Sequence, residues 1–179
     1  HHTRHVATRA AKAILFALSL LTLGGSSVFV YAAAIGEELD GLSPLTVSLL
    51  FSANALASIP SARWTGRRGP AGIWFLMTAV CALTIALSRS GLLFGAAMIG
   101  WGFVFFMGVP AAFTLLAARS NFPEERAGDA QAVMALGRVF GPLLGGALYA
   151  AGSTSTLGIA AAAVIAVGSG LLLYVDRQR

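Results

Sequence analysis

The sequence predicts an all-α fold, a polytopic bundle of six transmembrane helices, and three observations carry that reading. Hydrophobic residues make up 57% and charged residues 11% of the 179 positions, with a mean hydropathy of +0.80; an ordinary soluble domain carries about 25% charge. The apolar residues fall into six runs, each near the ~20 residues that a helix needs to cross a bilayer. The basic residues collect in alternate connections between those runs, as topology signals do. Residues 1–179 therefore read as a single membrane domain, with no aqueous domain between the runs.

The first run covers residues 12–35, and a small-residue patch from Gly24 to Ser27 is expected to interrupt it before Phe29 and Tyr31. GEELDGLSP follows, where Glu37, Glu38 and Asp40 read as a solvated turn. Ser43 and Pro44 then make a helix start, with a capping hydroxyl followed by a ring that needs no amide partner. The second run, 44–62, holds Asn54 as its most polar interior residue and ends in the basic loop RWTGRRGP. The third, 70–88, and the fourth, 92–118, are separated by little more than Arg89 to Gly91, which implies an antiparallel hairpin. Pro110 removes a backbone donor inside the fourth run and is expected to kink it. ARSNFPEERAGD reads as a polar connection to the fifth run, 127–151, and GSTST leads into the sixth, 157–175.

Charge placement orients these runs. Arg4, Arg9 and Lys12 precede or open the first, Arg63, Arg67 and Arg68 follow the second, Arg119 and Arg126 follow the fourth, and Arg177 and Arg179 follow the sixth. The other side has Arg89 alone, so both termini are placed in the cytoplasm and the three carboxylates outside. Trp64 and Trp74 flank the basic loop as interfacial anchors. The net charge of +5 has no basic stripe interleaved with aromatics, so the partner it implies is a lipid bilayer, not nucleic acid.

The fifth run is the most specific stretch. Gly137, Gly141 and Gly145 recur every four positions and form one bare stripe on a helix, where another helix approaches closely. Arg138 lies beside that stripe at about 16 Å from the start of the run, near the middle of a ~30 Å hydrocarbon core. A charge at that depth either lines a path, meeting an anionic substrate or a carboxylate, or serves as a structural ion pair or a donor to carbonyls freed by proline.

With Gly128, Pro142 and Gly146, the stripe reproduces the spacing of the antiporter motif of the major facilitator superfamily: glycine, eight residues, glycine, three, glycine-proline, two, and a glycine pair. The chain resembles one six-helix half of such a transporter. Gly66, Arg67 and Arg68 fit the end of the family's basic loop motif, but Arg63 stands at the acidic position, so the gate that uses that carboxylate is in doubt. The family's first half usually has an arginine in its fourth helix. Here the fourth run has Ala96 at that place, and the chain begins with His1 and stops soon after its sixth run, so the resemblance points to a C-terminal half cut from a longer chain.

The resemblance implies secondary transport of a small molecule by alternating access, coupled to protons as efflux or antiport across a bacterial inner (plasma) membrane. It also implies a second six-helix half as partner, in the same longer chain or as a homodimer. Arg138, Asn54, Tyr31, Trp101 and Phe105, with Phe106, are the path-lining candidates. A homodimeric pore, a small carrier and a noncatalytic membrane subunit are the alternatives. Enzyme chemistry finds no purchase. His1, His2 and His5 all precede the first run, so no serine-histidine dyad forms within the membrane, and no paired acids, metal-ligand spacing or phosphate loop implies a cofactor.

Overall fold

The computed structural model describes residues 5–178. His1, His2, Arg4 and Arg179, which the charge and histidine readings include, lie outside the described residues. The fold is all helical: α1 (Arg9–Phe29), α2 (Ala32–Glu38), α3 (Pro44–Ala62), α4 (Ala71–Leu87), α5 (Gly91–Ala118), α6 (Pro123–Ala150) and α7 (Thr154–Arg177). Five stretches are long and apolar enough to cross a membrane, with α1 and α2 together forming one of them. The remaining predicted run, the third, is α4, apolar but only 17 residues long.

Two boundaries correct the sequence reading. The Gly24 to Ser27 patch does not interrupt α1, because the Ser26 and Ser27 hydroxyls donate back to the Thr22 and Gly24 carbonyls and the bare glycines accept close neighbours. The break comes instead at Val30 and Tyr31. Helix α6 starts at Pro123, inside the expected polar connection, since Pro123 suits the first turn and Glu124 and Glu125 favour the positive helix end. Helix α5 runs unbroken through Pro110, and the Thr114 hydroxyl donates to the Pro110 carbonyl.

The helices pack in the order α6, α1, α7, α4, α5, α3, each against the next, and α3 and α6 at the two ends share no extensive packing. Exchanging α1 with α5, α3 with α6 and α4 with α7 maps this set of neighbours onto itself. The first three long helices and the last three therefore use the same pattern of pairing.

Close approach at glycine holds most of these pairs. A methyl group on Gly137 would fall on the Thr22 hydroxyl and 2.8 Å from the Leu23 nitrogen; on Gly141, on the Ser26 hydroxyl and 2.5 Å from the Leu23 carbonyl oxygen; on Gly145, on the Ser27 carbonyl. The bare stripe is thus closed against α1 within this chain. The helix that approaches it is α1, whose small face fills the stripe. Ser26 Oγ donates to the Gly137 carbonyl at 3.1 Å and Tyr31 Oη to the Pro142 carbonyl at 2.9 Å, and both are bonds that water cannot replace in lipid. Gly72 gives the same approach to Ser169, whose hydroxyl donates to the Gly72 carbonyl at 2.6 Å, and Gly102 receives the Asn54 backbone.

Gly128 begins the motif but has open space around it. Gly141→Ala is therefore expected to lower the unfolding free energy by about 1–3 kcal/mol, whereas Gly128→Ala leaves it unchanged or raises it by up to about 1 kcal/mol. Denaturant unfolding in micelles measures both.

Candidate functional site

A cleft opens between the unpaired ends of the helix order, where α1 and α5 form the back wall and α3 and α6 the two lips. It encloses a cavity of about 300 Å³. Four of the five path candidates meet there: Arg138 from α6, Asn54 from α3, and Trp101 and Phe105 from α5, joined by Phe29, Phe106 and the hydroxyls of Thr22 and Ser26. The glycine stripe places them, because seating Gly137 and Gly141 on α1 turns the next residue, Arg138, toward the opening.

Arg138 lies near the middle of the 28-residue α6, is solvent-exposed, and makes no hydrogen bond or ion pair among the described residues. Among the described residues, no carboxylate lines the cavity. Asn54 donates from Nδ2 to the Met98 carbonyl at 2.6 Å, joining α3 to α5 while it lines the wall. Trp101, 6% exposed, packs at 5.3 Å between ring centres against Phe29.

Tyr31 does not reach this cavity. Its hydroxyl is committed to α6, and its ring stacks on Tyr149 at 5.2 Å. The Tyr149 hydroxyl donates to Glu38 at 2.5 Å, so the end of α2 is tied to the end of α6. At this same end Asp40 corrects the expectation of a solvated turn: both carboxylate oxygens are buried without a hydrogen-bond partner. Burial pushes the Asp40 carboxyl above its usual 3.8, and the charge of Arg89 opposes that rise.

The opposite end is laced by side chains. Arg126, 5% exposed, pairs with Asp129 at 2.6 Å and Glu125 at 2.9 Å and donates to the His5 carbonyl. His5 Nδ1 lies 2.9 Å from Glu125, and its ring stacks on Phe122. Thr8 Oγ1 donates to the Arg119 carbonyl and Arg119 to the Gln178 carbonyl, so both described ends of the chain meet the α5–α6 connection on one side. Sequence reasoning treated this connection as a plain polar loop. The E-E-R-x-x-D spacing at the helix start was the signal that it binds its own arginine.

The basic loop is also built in. Arg68 donates to the carbonyls of Ser61, Trp64 and Phe106, and Trp74 Nε1 donates to the Arg68 carbonyl at 2.5 Å. Arg63 caps the end of α3. Gly66 and Arg67 line a second cavity of about 370 Å³ with Asp176 from α7. Among the described residues no cluster of histidine, cysteine or carboxylate side chains is arranged to hold a metal.

A scan against protein-family models finds none that matches the chain, and a search of curated proteins finds no significant match.

Arg126 is the buried member of its pairs and the carboxylates it meets are partly exposed, so Arg126→Ala loses charge-assisted bonds and is expected to cost about 1–3 kcal/mol, whereas Arg138→Ala changes stability by no more than about 0.5 kcal/mol; unfolding in micelles compares the two. Asp40 predicts a pH effect. The native state keeps the Asp40 proton to higher pH than the unfolded chain, so this residue's contribution to stability falls as pH rises from 3.8 through the raised native value. Asp40→Asn should remove that decline and give a higher Tm near neutral pH than the parent protein.

Proposed function

We propose that this chain is one six-helix half of a secondary transporter of the major facilitator type, carrying a small molecule by alternating access. The observation that supports it most is the pairing pattern. A half of that fold is two inverted three-helix repeats with substrate near the bilayer midplane, and here α1, α3 and α4 exchange with α5, α6 and α7 while the set of extensive pairings is kept. The cavity lies among α1, α3, α5 and α6, which are the two helix pairs that the exchange interconverts. A central site on a pseudo-two-fold is where a substrate in transit belongs.

The lips of the cleft explain the need for a second half. Leu49 and Leu56 on α3 and Val139, Leu143 and Leu144 on α6 are exposed beside Arg138. Lipid would solvate the leucines but not a mid-span guanidinium. A second half, in a longer chain or a second copy, covers both. The glycine motif supports efflux in exchange for protons, with the proton-carrying acid on the other half, and the alternating basic connections support a bacterial inner membrane with cytoplasmic termini.

The test is flux in proteoliposomes. Uptake of labelled small solutes should saturate and depend on an imposed pH gradient, and Arg138→Ala should slow it by about tenfold or more. Flux that rises linearly with concentration and ignores the gradient would mark a pore and overturn the proposal.

A further inference from the structure

We infer that the cavity at Arg138 is a site for organic anions with a flat aromatic body. This inference rests on the transporter reading of the same cavity and names its substrate class. The argument begins with which polar groups remain uncommitted. The Thr22 hydroxyl donates to the Leu18 and Ser19 carbonyls, the Ser26 hydroxyl to the Thr22 and Gly137 carbonyls, and the Asn54 amide to the Met98 carbonyl. The Ser26 and Asn54 protons join helices, and the Thr22 proton stays within α1.

Among the donors that line the cavity, the Arg138 guanidinium and the indole N–H of Trp101, a side chain 94% withdrawn from solvent, have no partner among the described residues, and Asn54 keeps a second amide N–H beyond its bond to Met98. A guanidinium and an indole N–H donate and do not accept. The head group that answers the guanidinium is therefore rich in acceptors and opposite in charge, as a carboxylate, sulfonate or phosphate is. A cationic head would sit beside a like charge, and a head without acceptors would leave the guanidinium unpaired.

The body of the ligand follows from the walls. Phe29, Trp101, Phe105 and Phe106 present ring surface, with Leu21 and Val30 between them. Phe29 lies against Trp101, and Phe105 meets Phe106 edge to face at 5.6 Å. Such walls favour a flat apolar body that stacks or meets ring edges. A carboxylate side chain reaching across from a second half would answer the charge, but it would leave a ring-lined space of about 300 Å³ unfilled.

Binding of naphthalene-2-sulfonate to the full chain in phosphatidylcholine nanodiscs tests this, measured by equilibrium dialysis and by quenching of tryptophan emission. Saturable binding is expected, with Arg138→Gln weakening it by about tenfold or more and Arg138→Lys by only a few-fold. The isosteric cation, 2-naphthyltrimethylammonium, should show no saturable binding, and this comparison on the unaltered protein holds even if a variant folds poorly. Equal or tighter binding of the cation, or sulfonate binding indifferent to Arg138→Gln, would overturn the inference. So would one-for-one displacement of the sulfonate when phosphatidylglycerol is added to the discs, which would make the occupant a lipid head group. If sulfonate binds as expected but no saturable flux is found, the transport proposal fails and the site stands; if flux is saturable for cations, the reverse holds.

Discussion

Everything in this fold depends on how closely helices approach one another where lipid, not water, is the competing solvent. Burying apolar surface gains little there, since the tails are as apolar as leucine, so packing distance and hydrogen bonds between helices must decide the arrangement. The α1–α6 seam meets that demand three times over, with Gly137, Gly141 and Gly145 lying on the backbone and hydroxyls of Thr22 to Ser27. Ser26 and Tyr31 then convert contact into register, because each bonds a specific α6 carbonyl. The direction in which Arg138 points is a by-product of that seam.

Polar residues in the cleft divide accordingly into those that build and those that are left over. Asn54, Thr22 and Ser26 spend their protons on backbone carbonyls, and Arg126 spends its charge on two neighbouring carboxylates and the His5 carbonyl. Arg138 and Trp101 spend nothing on the scaffold. That pair is what the proposed anion site draws on.

The helices were legible in the sequence because their signal is length and hydropathy, which need no knowledge of neighbours. Residues 44–62 match α3 to the residue, since Ser43 and Pro44 mark its start by local chemistry alone. The glycine stripe was legible as a packing face, but its partner was not, because Gly24 to Ser27 reads locally as a weak point in a helix, and its complementarity appears only when α1 and α6 are placed side by side. Tyr31 shows a similar limit: standing next to a helix that lines the cavity does not fix which side a ring takes, and its hydroxyl bonds the Pro142 carbonyl outside that cavity. Asp40 and Arg126 show the same limit for charge. Whether a carboxylate or guanidinium is solvated depends on what folds over it from more than a hundred residues away, as His5 does over Arg126.

The lacing of Thr8, Arg119 and Gln178 has a consequence for construction. A chain whose two described ends are held within a side chain's reach of one connection can be joined head to tail with a copy of itself by a short tether, and that tether never has to pass through the hydrocarbon. Duplication of such a unit leaves the handedness of each copy and its facing with respect to the membrane unchanged, without re-threading any helix.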